Sequence, residues 1–318
     1  MDLCGVRIVS TGAYHPTTRN STADRPSGQD IERQLGDLFD QGYGSYLAIG
    51  ETAVGMGVAA ARNALANATI DPLDIDVVLS HALFADYAVP TDTCAIADAI
   101  GTQKAAAYFV DSQCASFLSM TNLAAALIRA HQARNILVIN VAHWATRALP
   151  EGQDPGPMGD GAAAVLLSTA EREHFHSHIE ERSGEHFNTM VALSSYATGK
   201  REYMGASPLP SFNEYIYIDP PKVIMAAIEK AGFTRSDINW ILPHQPTRGI
   251  MYKWAQDAGL PAESVLHSFP LYGNLGGTTL PMNLHHFSQV EPRIRRGDRI
   301  LFFTTGAGFH LKASVWTY

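Results

Sequence analysis

The sequence predicts an α/β fold of two similar halves, each a mainly parallel mixed sheet with crossover helices. Three observations carry that prediction. The 318-residue chain is 46% hydrophobic and 17% charged, an ordinary globular composition on a chain long enough for two packed halves. Its strand-like segments VVLS, YFV, ILVINV and ILFF are near-continuous apolar runs, as sheets covered on both faces require. A pattern also repeats. Residues 64–81 (ALANATIDPLDIDVVLSH) and 227–244 (AIEKAGFTRSDINWILPH) both pass from a helix end through a polar turn and an Asp-Ile step to a short apolar strand closed by histidine.

The order that follows each repeat matches as well. In the first half come a helix at about 92–100, the strand AAYFVDS, a long helix from 115, the strand NILVINVAH, a turn and the strand GAAAVLLS. In the second come a helix at about 247–258, the strand SVLHSF, a helix from about 277, the strand RILFFTT, a Gly turn and the strand FHLKASVW. Strand–helix alternation of this kind implies parallel pairing through crossover helices. The helix after Cys114, ASFLSMTNLAAALIRAH, is apolar or small nearly all round, which places it in the interior. The halves divide as residues 1–171 and 172–318. The second opens with a variable excursion at about 172–218, rich in His, Glu, Ser, Pro and Tyr and read as one strand plus a surface segment.

The net charge of −8 and the pI near 5.9 leave no broad basic face for nucleic acid or anionic membrane. The N-terminal residues MDLCGVRIVSTGAYHP lack a basic stretch followed by a long apolar run, and no eighteen-residue apolar segment occurs. The expectation is a soluble, cytoplasmic protein. Cys4, Cys94 and Cys114 are odd in number and show no metal-ligand spacing, which fits a reducing compartment. Among the thirteen histidines, HFHSH at 174–178 alternates like a strand face and His285-His286 sit on a helix. Neither has an acidic partner at ligand spacing, so no metal is expected.

Cys114, in YFVDSQCASFLSM, stands between an apolar strand and the first turn of an apolar helix. Unpaired N–H groups and the macrodipole at a helix start favour a thiolate there, and the same N–H groups can hold an oxyanion. A lone cysteine is more often a small buried hydrophobe, which is the reading for Cys4 and Cys94. His244 ends the strand NWILPH, where open α/β sheets bind ligands; His81 holds the corresponding place in the first half. Asn274 lies in the Gly-rich turn of LYGNLGGTTLPMN. It is either a turn residue or an amide donor to a carbonyl or enolate oxygen. The turns GDGAAA (159–164) and TTGAGF (304–309) close the halves in corresponding places.

Together and in this order, DSQCASF, MGDGAAAVLL, ILPHQPTRGI, YGNLGGTTLP and TGAGFHLKASVW resemble the thiolase superfamily, and within it the β-ketoacyl-acyl carrier protein synthase III family of condensing enzymes. The resemblance spans essentially the whole chain. It implies a five-layered αβαβα thiolase-like fold and a dimer, either of identical chains or with a related subunit. It implies Cys114, His244 and Asn274 as the catalytic set, with the backbone N–H groups of Cys114 and Ala307 as oxyanion hole. Acyl-coenzyme A or acyl carrier protein thioesters are then the substrates and no further cofactor is called for.

The chain departs from the family at several places. The segment DLFDQGYGSYLAIGETAVGMG (37–57) lacks the Arg-Thr-Gly-Ile-type motif and the Trp that hold coenzyme A in relatives. Thr247 replaces an asparagine near the pantetheine, and Arg248 and Lys253 are the remaining basic residues for coenzyme A or an acidic carrier. Val89 stands where the family often has a bulky aromatic at the end of the acyl pocket, implying an acyl group larger than acetyl; Phe309 is a further pocket residue. The function implied is decarboxylative condensation in a specialised fatty-acid, polyketide or alkaloid pathway. The alternatives are acyl transfer without decarboxylation to a hydroxyl, amine or thiol, and a non-catalytic partner subunit of a heteromeric synthase.

Overall fold

A computed structural model describes residues 5–21, 43–148, 155–182, 184, 191–194, 201–204 and 214–318. In chain order its strands are β1 (Gly5–Tyr14), β2 (Thr18–Ser21), β3 (Gly44–Leu47), β4 (Val77–Leu83), β5 (Ala106–Phe109), β6 (Asn135–Ala142), β7 (Gly161–Ala170), β8 (Phe175–Arg182), β9 (Val191–Ser194), β10 (Arg201–Met204), β11 (Trp240–Pro243), β12 (Arg299–Gly306) and β13 (His310–Thr317). The helices are α1 (Ala53–Ala68), α2 (Asp92–Ile100), α3 (Ser116–Arg129), α4 (Asp219–Lys230), α5 (Arg248–Asp257), α6 (Phe269–Tyr272) and α7 (Thr279–His285). Among the described residues no helix is long and apolar enough to cross a membrane.

The strands form a five-stranded sheet, β1-β7-β6-β4-β5, and a four-stranded sheet, β11-β12-β13-β8; β2 with β3 and β9 with β10 make two small pairs. Both large sheets are mixed. Pairing is parallel between β4 and β5, β4 and β6, and β11 and β12, and antiparallel where β7 meets β1 and β6 and where β13 meets β12 and β8. The crossover rule thus governs the middle of each half, while its first and last strands pair antiparallel.

Alternation along the strands builds five layers. Ile136 and Val138 of β6 and Ile300 and Phe302 of β12 point into a central cluster with Phe117, Leu118, Met120 and Ile128 of α3 and Leu280 and Leu284 of α7. Leu137, Ile139 and Val141 face outward onto α1 and α2, and Leu301 and Phe303 face outward onto α4 and α5. Successive side chains in a strand point to opposite faces, so each strand serves two layers. The helix after Cys114 does lie between the sheets, but it is not buried all round: Asn122, Leu123 and Ala126 form an exposed stripe.

One expected strand does not form. In SVLHSF only Val265 bridges to Ile241, with Leu266 N–H donating to the Ile241 carbonyl at 2.9 Å. The ladder stops because the next available donor, Ser268 N–H, is taken by the Gln245 side chain. The excursion expected at about 172–218 contributes β8 to the four-stranded sheet, and much of the remainder lies outside the described residues.

Helix α1 packs on β1 with a close approach at Gly12. A Cβ on Gly12 would stand 2.3 Å from the Ala64 nitrogen and 2.4 Å from the Ala60 oxygen. Gly12→Ala is therefore expected to cost roughly 1–3 kcal/mol by overpacking. The check is a lowered urea midpoint at unchanged m-value; an unchanged midpoint would contradict the contact.

Candidate active site

Cys114 sits in a single 3-10 turn, Gln113–Ala115, that links β5 to α3. Gln113 has φ +53°, and Asp111 holds it there by accepting from its backbone N–H at 2.7 Å and from its Nε2 at 2.9 Å. Asp111 also lies 3.3 Å from Nε2 of the buried His81. Burial alone would raise the Asp111 carboxyl, but His81 and Gln113 outweigh it and hold the group below its ordinary value. His81 is thereby engaged in supporting the turn that carries Cys114, which distinguishes it from His244.

The second half closes on this turn. Thr304 Oγ1 donates to the Cys114 carbonyl at 3.0 Å, and the backbone N–H groups of Ala307 and of Cys114 itself both reach the sulfur. The thiol is pushed up to about 12 by burial, partly offset by those two N–H groups and reinforced by Asp111. The expectation that the helix start stabilises a thiolate is corrected. Desolvation wins over the local donors, so the resting group is a neutral thiol.

Asn274 is fixed on all sides. Its N–H donates to the Pro157 carbonyl at 2.7 Å, and its carbonyl accepts from Gly159 N–H at 3.0 Å and Trp144 Nε1 at 3.1 Å. Its side-chain Oδ1 accepts from Gly276 N–H at 2.9 Å, which assigns the amide orientation and leaves Nδ2 as the available donor. Gly276 has φ +53°. A Cβ there would stand 2.3 Å from Leu83 Cδ1 and 3.7 Å from the Cys114 sulfur. The bare glycine backbone therefore lets the Asn274 turn lie against the cysteine.

His244 follows β11, its N–H donating to the Phe303 carbonyl at 2.7 Å. It is 3% exposed, and its buried Nδ1 has no hydrogen-bond partner. Burial pushes the imidazole down to about 3, so the ring is neutral. Gln245 next to it is fully buried. Its Nε2 donates to the Gly273 carbonyl at 2.5 Å, and its Oε1 accepts from Ser268 N–H at 3.2 Å and Asn283 Nδ2 at 3.1 Å. Ser268 Oγ in turn donates to Asn283 Oδ1. This network ties the His244 strand end to the Asn274 turn. Sequence reasoning passed over Gln245, although a glutamine directly after a strand-end histidine was the available signal.

The other candidates are placed less uniformly. Phe309, 2% exposed, meets Tyr215 edge-on with ring centroids 4.4 Å apart. Tyr215, also passed over, is buried, its hydroxyl has no partner, and its phenol is raised chiefly by burial. Thr247 precedes α5 without a side-chain capping bond, and its buried Oγ1 is unpartnered. The Arg248 side chain lies outside the described residues. Lys253 pairs with Asp257 at 2.8 Å on the surface of α5, a helix charge pair. Val89 is 88% exposed, so within one chain it walls no pocket. The HFHSH rings are used inside the sheet: His176 meets Thr317 Oγ1 at 2.7 Å and His178 meets Ser314 Oγ at 2.8 Å. Among the described residues no group of three or more His, Cys, Asp or Glu could hold a metal ion.

The chain is similar to known proteins over most of its length. Residues 110–183 match the family model of 3-oxoacyl-[acyl-carrier-protein] synthase III, and residues 228–318 match the model of its C-terminal part. The β-ketoacyl-[acyl-carrier-protein] synthase III of Neisseria gonorrhoeae is 28% identical, covering 98% of this chain and 99% of its own. The crystal structure of the Aquifex aeolicus 3-oxoacyl-[acyl-carrier-protein] synthase III superposes with a TM-score of 0.84 at 22% identity, over 99% of this chain and 100% of the other. The priming β-ketosynthase of the R1128 polyketide pathway superposes with a TM-score of 0.84 at 21% identity, over 98% and 96%.

A thiol pushed up to about 12 sets the expected pH dependence of Cys114 alkylation. The thiolate fraction rises about tenfold per pH unit while pH stays well below the thiol's pKa. Iodoacetamide alkylation of Cys114, followed by peptide mass spectrometry, should therefore climb at that slope from pH 7 to 10. A plateau near neutrality would show a thiolate already formed.

Proposed function

Because this chain belongs to the β-ketoacyl-acyl carrier protein synthase III-like condensing enzymes of the thiolase superfamily, we propose that it joins two acyl thioesters by decarboxylative condensation, with Cys114 carrying the first. The sulfur attacks the carbonyl of an acyl-coenzyme A or acyl carrier protein thioester. The new carbon–sulfur bond forms as the old one breaks, and the donor departs as a thiol with the proton from Cys114. The Cys114 and Ala307 N–H groups hold the oxyanion between these events.

A malonyl-type thioester then binds and loses CO2. The electrons left behind form an enolate whose negative oxygen is held by His244 and by Asn274 Nδ2. The enolate carbon attacks the acyl-cysteine carbonyl, and Cys114 leaves as thiolate and takes up a proton. A buried neutral imidazole suits this role: it donates a hydrogen bond in a low-dielectric site and needs no reorganisation as charge appears.

The observation that carries this reading is the orientation of Asn274. With Oδ1 held by Gly276 N–H, Nδ2 is left as a donor on a turn that lies against the cysteine, which simple acyl transfer to a hydroxyl, amine or thiol has no need of. The division into halves at 171/172 is supported by β8, which joins the four-stranded sheet. A dimer is supported by the strand β5 at the edge of its sheet and by the exposed Tyr87, Val89 and Tyr108.

Mass spectrometry after incubation with acyl thioesters should show an acyl adduct on Cys114 that is absent in Cys114→Ala. Release of CO2 from malonyl thioester should fall on the order of 10²–10³-fold in Asn274→Ala, as for loss of one preorganised donor. Adduct formation with CO2 release unaffected by Asn274→Ala would favour acyl transfer. No adduct from any donor would favour a partner subunit.

A further inference from the structure

Lys312 lies in β13, opposite Thr304 of β12 and Glu180 of β8, and is 1% exposed. A buried ammonium persists only when paired. Here Nζ lies 2.7 Å from Glu180 Oε1, 2.6 Å from Ser119 Oγ and 3.5 Å from Ser112 Oγ. Glu180 is also faced by His178 at 3.7 Å and His310 at 3.5 Å, but burial holds both imidazoles below their ordinary value, so Lys312 is the cation that pairs with it.

The two serines belong to the other half of the molecule and bracket Cys114. With Lys312 donating to it, the Ser119 hydroxyl donates in turn to Ser112 Oγ at 2.9 Å or to the Ala115 carbonyl at 3.2 Å. Ser112 is held further by donating its N–H to Ser116 Oγ at 2.8 Å and by accepting from Ala115 N–H at 3.0 Å. The ammonium therefore grips the turn that carries the nucleophile from both sides. Stability does not explain it. A buried ion pair gains little over apolar residues of the same volume, and a cation near the start of α3 opposes the helix dipole. What the contact does set is geometry. Lys312 and Ala307 belong to one hairpin, so the chain that supplies the second oxyanion donor also anchors the turn that supplies the first.

We propose that Lys312 is a positioning residue for acyl loading: through Ser119 and Ser112 it holds the Cys114 turn so that the Cys114 and Ala307 N–H groups converge on one carbonyl oxygen. This rests on the reading of Cys114 as acyl carrier.

Acyl loading needs the oxyanion site, whereas alkylation by iodoacetamide needs only the thiol, so the two rates separate positioning from general damage. Octanoyl-coenzyme A and octanoyl-N-acetylcysteamine serve as loading probes, with adduct on Cys114 timed by mass spectrometry in the full-length wild type, Lys312→Met and Ser119→Ala. Misplacing reacting groups by about 1 Å costs on the order of 100-fold. Loading in both variants should slow by about tenfold or more, with alkylation at one pH within about twofold of wild type. Ser119→Ala keeps the Lys312–Glu180 pair, so it remains informative where Lys312→Met fails to fold. Variants that load at the wild-type rate, or whose loading and alkylation fall together, overturn the proposal. A wild type that takes no adduct from either probe overturns the functional reading beneath it.

Discussion

The hairpin of β12 and β13 is the constraint on which the centre of this molecule depends. It supplies Thr304 to the Cys114 carbonyl, the Ala307 N–H to the sulfur and the Lys312 ammonium to Ser119 and Ser112. Three contacts from one rigid pair of strands therefore register one half of the chain against the other. The remaining candidate groups are tied to the same frame: His244 through Phe303 of β12, and Asn274 through Gln245 and Gly273. A site built on paired strands and a buried polar network holds its donors more tightly than one built on loops.

Burial sets the electrostatics of this frame. Cys114 and His244 are both desolvated, and desolvation moves an acid up and a base down, so both groups rest uncharged. The site does not store charge as a thiolate–imidazolium pair. On the proposed function, charge would arise as substrate bonds change and among fixed N–H donors, which is where electrostatic stabilisation lowers a barrier rather than merely tightening binding.

The layers and the turn that carries Cys114 were legible because both depend on local pattern. Apolar runs gave the two-faced strands, and the repeat ending in His81 and His244 gave two corresponding strands, although His81 lies within β4 and His244 just after β11. Three features were not legible, each for a physical reason. The failed strand at SVLHSF depends on a hydrogen bond from Ser268 to a side chain more than twenty residues earlier, which no local pattern records. The neutral thiol depends on how completely the second half covers Cys114, whereas a helix-start argument sees only its own N–H groups. Lys312 reads in sequence as a charge interrupting an apolar strand, and only the meeting of the sheets shows that Ser112 and Ser119 receive it.

The protonated state of Cys114 also bears on how the molecule ages. Peroxide attacks thiolates, and sulfenic acid formation follows thiolate character and exposure. A thiol of intermediate exposure, pushed up to about 12 by burial, carries little thiolate near neutral pH and is a poor target for peroxide. Cys94, exposed at the surface of α2, is open to attack in its place. The same burial that keeps the thiol protonated thereby also lowers its reactivity toward oxidants.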